Sequence, residues 1–493
     1  MQKNLNLSTL IVNIFKDNWH ENFVFDSIND KAVTYKEFFA KVNLYCRKFD
    51  ELGIASEDTI ILMLNNSLDL MILYFASLLA GVRIVPVDPF KGTESINEIF
   101  NQVEYRAVIV GAPTQNIAAK KIINIEEFKK PSSFPVKTNK KDLKIFDKID
   151  YKKIYLIVFT SGSTGIPKGV MHSFENLIKS ALAFGSAFNL SKENVFYHNL
   201  PMTYMAGILN QILMPFICGS KIVVGERFGI ATVGNFWTYP IKYSVNTFWF
   251  NPTILSLLLN LDRGPEGIGY TSNTHIIGFV GTAPLNYALK RKFEKKYKTV
   301  LYESYGLSET LFVATEAPSD KRIKGSVGKK LIGVEIDFAS DGEILIGAEW
   351  MFLGYISKDS KQGLRDNRFL SGDLGYFDKY DYLHITGRKK DLIIRGGINI
   401  SPRKLENFIG NFDYFEESVI LGMKDEVLSE KIVCFYVPDK NNYAKDAEKK
   451  VNQEVLVRLG RDHKIDEFVK LTEIPKNING KVDKLKIKDI YLS

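Results

Sequence analysis

The sequence predicts a mixed α/β protein with mostly parallel sheets. Three observations carry this: a strand–helix–strand rhythm near the N-terminus, short continuous apolar runs that each end in a turn, and a change of character near residue 388. Residues 59–64 (TIILML) read as a buried strand. Ser67 then caps a helix expected to run to Ala80, with Gly81 as its C-terminal stop. Residues 82–87 (VRIVPV) read as the next strand, ending at Asp88-Pro89. Residues 116–153 are lysine-rich and weakly periodic, which marks surface structure or a loop. Residues 154–159 (IYLIVF) form a short apolar strand, and a polar glycine-rich loop follows it directly. Residues 246–250 (NTFWF) and 276–280 (IIGFV) read as buried strands that end at Asn251-Pro252 and Gly281. Beyond residues 387–391 (GRKKD) the pattern is shorter in period and more charged, with strands near 418–422 and 431–437. Ser401-Pro402 opens a helix there. A domain boundary is expected at about residue 388.

A chain of 493 residues with 45% apolar, 25% charged and 12% aromatic residues is long enough for several domains and is neither disordered nor fibrous in composition. Its net charge of +8 suits anionic ligands such as nucleotides, CoA or an acidic carrier protein. The lysines are scattered, and no aromatic RNA-binding signature accompanies them, so nucleic acid is not an expected partner. Cys46, Cys218 and Cys434 lie far apart, with neither disulfide nor metal spacing, which fits a reducing cytoplasm. The N-terminal stretch carries Asp17 and Glu21 and reads as an amphipathic helix, not an export signal. No apolar run reaches the roughly 18 residues that a bilayer span needs, so no stable membrane insertion is expected.

The densest chemical signal is FTSGSTGIPKG at residues 159–169. Glycines let backbone N–H groups approach an anion, the hydroxyls of Thr160, Ser161, Ser163 and Thr164 donate to phosphate oxygens, and Lys168 adds a full charge. The lysine precedes the last glycine and no GK[ST] follows, so this is not the Walker pattern. Four further motifs follow: YGLSET at 305–310, SGDLG at 371–375, GRKKD at 387–391 with RGGIN at 395–399, and IPKNINGKV at 474–482. Each alone would pass for a turn or a basic loop. Their order is what gives them weight.

From about residue 22 to residue 481, these motifs resemble the adenylate-forming superfamily: acyl- and aryl-CoA ligases, adenylation domains of nonribosomal peptide synthetases and beetle luciferases. The resemblance implies a large N-terminal domain (1–387) of mixed β-sheets flanked by helices, a hinge at 388–390 and a small mobile α+β domain (391–493), with the site in the cleft between them. It implies an ATP- and Mg²⁺-dependent enzyme that activates a carboxylic acid as acyl-AMP and transfers it to CoA. The alternative acceptor is the phosphopantetheine of a separate carrier protein. An alternative of another class is a non-catalytic nucleotide-binding paralogue.

By this resemblance, residues 160–165 (Thr160, Ser161, Gly162, Ser163, Thr164, Gly165) and Lys168 bind the phosphates, and Glu309 is the Mg²⁺ ligand. Ser308 contacts phosphate beside Gly306, Tyr305 stacks on adenine, and the turn of Gly281, Thr282 and Ala283 backs it. Asp373 accepts the ribose hydroxyls and Arg388 reaches the ribose or phosphate. Lys390 is the pivot, and Gly396 and Gly397 admit the thiol. Lys481 is the catalytic lysine: an ammonium against the equatorial oxygens stabilises the transition state more than the ground state.

The substrate pocket is expected at Tyr204, Met205 and Gly207, with Phe250, Phe279 and Gly281. Tyr204 stands where an aromatic residue or histidine usually gates the carboxylate, and it lacks the near-neutral titration of imidazole. No acidic residue occurs between Leu200 and Lys221 to pair a substrate ammonium, which favours an acid without an α-amino group. His172 and His198 read as structural or supporting groups.

Overall fold

The computed structural model describes residues 6–111, 119–131, 138–160, 167–356, 363–440, 442–476 and 482–492. Two large sheets form the bulk of the molecule. In the nine-stranded sheet, the central strands, including Val195–His198, Thr247–Phe250, Ile277–Val280 and Val300–Leu307, run parallel. Antiparallel strands finish its edges. The seven-stranded sheet is parallel through Thr59–Met63, Arg83–Pro86 and Ile154–Thr160, and then turns back antiparallel into Lys168–Ser173. A third, antiparallel sheet carries Arg368–Phe377 and Leu383–Arg388.

Local chemistry explains the first strand–helix–strand unit. Ser67 accepts the Leu70 N–H at 3.2 Å, and the helix Leu68–Ala80 ends at Gly81 in the left-handed region, φ +67°. Nearly every residue of this helix is buried, because it is sandwiched between layers. The N-terminal helix Leu7–Asp17 is amphipathic as read and buries Leu7, Ile11, Ile14 and Phe15. Among the described residues, no helix is long and apolar enough to cross a membrane.

The main apolar core ends at Ile385, and a second one starts at Ile393. Around the second core lie the long hairpin Phe415–Asp425 and Ser429–Pro438 and the helix Pro402–Ile409, with Ser401 accepting the Lys404 N–H at 3.3 Å. Among the described residues, this smaller C-terminal domain meets the larger one through Asn260 to Glu416 at 2.7 Å, Lys324 to Asn411 at 2.8 Å, Lys292 to Asp439 at 3.7 Å and Ser401 to the Thr386 carbonyl, with Arg403 in electrostatic reach of Glu303 and Asp373. The exposed pairs among these each contribute little.

Candidate active site

A cavity of about 1000 Å³ opens where the ends of the parallel strands meet the third sheet. Ligands bind at this place in open α/β sheets, beyond the carboxyl ends of the strands. Thr160 and Lys168 both line it, paired across the two strands that flank the glycine-rich segment. Of that loop, Ser161, Gly162, Ser163, Thr164 and Gly165 lie outside the described residues. Gly169 has a different role from the one read for it: a Cβ there would sit 2.8 Å from Ile356 and 3.0 Å from Phe159. It serves close packing, not anion approach.

Two clusters face the cavity. In the first, Lys168 lies over the Tyr355 ring, 5.3 Å from its centroid, and the Tyr355 hydroxyl donates to Glu309 Oε1 at 2.7 Å. Burial, and then the Glu309 carboxylate, push the Tyr355 hydroxyl up, so it stays a donor at neutral pH. Ser308 precedes Glu309 in the turn after Val300–Leu307, and its carbonyl accepts from His172 Nε2 at 2.7 Å. In the second cluster, Tyr305 donates to Asp373 Oδ2 and Arg388 Nε donates to Oδ1, both at 2.8 Å. Asp373 and Arg388 are opposite one another on paired strands, so sheet register alone brings them together. Burial and the nearby carboxylate raise the Tyr305 hydroxyl well above its usual pKa. Asp373 is 4% exposed and is not itself in the cavity wall, where its partners Tyr305 and Arg388 stand. A carboxylate offers about four acceptor positions, so two remain for a ligand.

Gly306 is a glycine because a Cβ would overlap the Leu311 carbonyl. In the turn after Ile277–Val280, Thr282 lines the cavity with φ +71°, a conformation that costs a β-branched residue about 1–3 kcal/mol. Gly281 is boxed in by Ser304 Oγ, which a Cβ would approach to 2.7 Å. Neither Gly281 nor Ala283 forms part of the cavity wall.

Tyr204 and Met205 line the cavity at the start of a wide-turn π-helix, Ala206–Leu213. Gly207 does not line it. A side chain there would overlap the Pro201 carbonyl, and the Gly207 carbonyl accepts from His198 Nε2 at 3.0 Å. The two phenylalanines expected in the pocket need correction. Phe250 is 1% exposed, stacked on Phe248 at 5.5 Å and packed on Phe293. Phe279 is 0% exposed among Phe184, Phe188 and Trp249. Side chains alternate along the strand Thr247–Phe250, so Phe248 and Phe250 share the core face while Trp249 faces the other way and contributes to the cavity wall.

Lys390 lines the cavity, as does Arg388. Gly396 and Gly397 form the exposed turn of a hairpin, at φ +55° and +84°, and are not in the wall. Lys481 lies outside the described residues, between the paired Lys476 and Val482. Tyr355 and Asn210 went unnoticed in the sequence, and Trp249 was not among the residues expected in the pocket. Tyr355 follows no motif, and Trp249 was recoverable only from strand parity. Among the described residues, no group of three or more His, Cys, Asp or Glu side chains is placed to hold a metal.

His172 and His198 are both fully buried, and desolvation lowers each to about 4 despite their backbone hydrogen bonds. An unfolded histidine takes a proton near pH 6.5, while the folded one does not. Stability contributed by each neutral ring is therefore intact above pH 6.5 and declines as the pH falls toward 4, by about 3 kcal/mol per histidine. Denaturant titrations between pH 7 and pH 4 should show His172→Gln losing about 1.4 kcal/mol less per pH unit than the unmodified protein. Equal slopes would refute this.

Residues 17–356 match the family described as AMP-binding enzyme, and residues 404–481 match the AMP-binding enzyme C-terminal domain. The chain is 27% identical to 2-succinylbenzoate–CoA ligase of Listeria monocytogenes, over 93% of this chain and 94% of that protein. It is 29% identical to sulfoacetate–CoA ligase of Cupriavidus necator, over 67% of this chain and 66% of that one. Its fold is that of ATP-bound MatB from Rhodopseudomonas palustris, with a TM-score of 0.82 at 20% identity, covering 98% of this chain and 99% of that one. A family match over residues 17–356, continued by one over 404–481, places this chain in the AMP-binding enzyme family, as an ATP-dependent, AMP-forming ligase of the adenylate-forming superfamily.

Proposed function

We propose that the protein joins a carboxylic acid to CoA through an acyl-AMP intermediate. The observation that carries this is the convergence of two clusters, Tyr305–Asp373–Arg388 and Lys168–Tyr355–Glu309, on one cavity. The first offers acceptors for a ribose and a cation for a phosphate. The second offers a carboxylate and an ammonium where a triphosphate chain would lie. Several curated relatives are named as CoA ligases, including the 2-succinylbenzoate, sulfoacetate and oxalate enzymes, which favours CoA as the acceptor.

The acid's carboxylate oxygen attacks the α-phosphorus, the bond to the β-phosphate oxygen breaks, and pyrophosphate leaves. Lys168 and Lys481 balance the charge that gathers on the phosphoryl oxygens. Glu309 fits a magnesium ion, since Tyr355 occupies one of its oxygens and Mg²⁺ is commonly held by one carboxylate plus substrate phosphates. That ion would shield the triphosphate from the incoming anion. In the second half the thiol loses its proton to solvent and its sulfur attacks the acyl carbon, and AMP leaves.

The two halves need different surroundings. We infer a hinge at 388–390 between a large domain of 1–387 and a small one of 391–493. The break between the apolar cores and the polar contacts across it support this reading. Rotation there would bring Gly396 and Gly397 to the cavity and remove Lys481.

The test is acid-dependent pyrophosphate release by the purified protein with ATP and Mg²⁺, over aliphatic, aromatic and amino acids, followed by thioester assay with CoA. Release with one class of acid, and thioester on adding CoA, is expected. Release followed by labelling of a carrier protein only would move the acceptor away from CoA. Release with no acid would overturn the reading.

A further inference from the structure

We propose that the acyl end of this cavity selects an uncharged carboxylic acid bearing a hydrogen-bonding group, such as a hydroxyl, and that Asn210 reads that group. This rests on the ligase reading above and names the substrate class it leaves open.

Asn210 lies on the π-helix Ala206–Leu213, lines the cavity and is 6% exposed. Among the described residues, nothing hydrogen-bonds to its amide, whereas the adjacent Gln211 is fully engaged with Leu200, Tyr197 and Asn199. The amide is not sealed from solvent but opens on the cavity, where a carboxamide offers both a donor and an acceptor to a ligand group. Trp249 lines the same cavity at 1% exposure, and its indole N–H also lacks a partner.

Ala206, Leu209 and Phe312 supply apolar wall, and Thr203 and Tyr204 add only uncharged hydroxyls. The whole stretch 199–217 contains no charged residue. The strand end Thr247–Phe250 adds none. The charged side chains of the cavity come from other segments: Asp88 is paired with Arg227, Glu309 with Tyr355, Arg388 with Asp373, and Lys389 with Asp341 and Glu343, while Lys91 and Glu98 stand on the stretch after Asp88 and Lys390 follows Lys389. A second carboxylate, a sulfonate or an ammonium placed beside Asn210 would find no counter-ion on the segments 199–217 and 247–250, which disfavours it. The wall thus differs from what a dianionic acid requires, although some relatives are named for such acids.

Two matched sets test this: butyrate, 4-hydroxybutyrate, succinate and 4-aminobutyrate; and benzoate, 4-hydroxybenzoate, terephthalate and 4-(aminomethyl)benzoate. AMP release is measured for each. The uncharged hydroxy acid is expected to exceed its unsubstituted parent by about tenfold or more in kcat/KM in at least one set, and to exceed the doubly charged members by about a hundredfold. Asn210→Leu is expected to bring the hydroxy-to-parent ratio to one or below, because a leucine cannot complete the hydrogen bond. The ranking on the unmodified protein stands even if that variant fails to fold. A preference for succinate, terephthalate or an amino acid, a parent acid equal to or better than its hydroxy form in both sets, or an Asn210→Leu protein that keeps the ratio would each overturn the assignment. AMP release with none of the eight, nor with any acid of the wider panel, would instead overturn the ligase reading.

Discussion

Replacing Asp373 by alanine is expected to lower kcat/KM for ATP by about 10²–10⁴. The carboxylate has two acceptor positions left after Tyr305 and Arg388 have taken theirs, and these are proposed to hold the ribose hydroxyls. Two hydrogen bonds to a charged group contribute about 1.5–3 kcal/mol each, and each 1.4 kcal/mol is tenfold. The loss should fall on ATP affinity, seen by calorimetric titration, with pyrophosphate exchange following it. Stability should drop less, by about 1–3 kcal/mol, because the Arg388 side chain is 46% exposed and water can take over its solvation. Asp373→Asn keeps one acceptor oxygen and should fall between. An alanine variant that binds ATP as tightly as the unmodified protein would remove Asp373 from the nucleotide site.

Lys481→Ala is expected to reduce adenylate formation by about 10²–10³ while largely sparing ATP binding. Here the argument is electrostatic. Carboxylate attack brings two anions together and concentrates charge on the equatorial oxygens, so an ammonium there acts mainly on the transition state. Thioester formation from supplied acyl-AMP should survive the substitution, since the second half is proposed to proceed with Lys481 withdrawn. Pyrophosphate exchange at near the unmodified rate would show that another group carries this role.

The fold class was legible because it rests on periodicity and turn chemistry. The Ser67 cap, the Gly81 stop and the parallel strands at 59–63 and 83–86 are local decisions that the fold does not override. The relation among Tyr305, Asp373 and Arg388 is of another kind: residues 68 and 15 positions apart meet only through sheet pairing. The order of motifs pointed to all three, but not to the hydrogen bonds that tie them. Pocket aromatics were harder. In a run such as Phe248-Trp249-Phe250 every residue is bulky and apolar, so composition does not say which face is the core. Parity does, once the strand is placed, and it turns Phe250 inward with Phe248. Tyr355 and Asn210 carried no signal beyond their type. Their significance comes from what stands beside them, Glu309 in one case and no partner at all among the described residues in the other.

Arg388 is the last residue of its strand, and Lys389–Asp391 follows at once, with Asp391 held by Lys484 at 2.6 Å. The guanidinium that grips Asp373 is thus bonded, one residue on, to the tether of the C-terminal lobe. On the proposed reading, a ribose held by the free positions of Asp373 would sit beside the root of that tether, so that nucleotide and lobe would share one carboxylate.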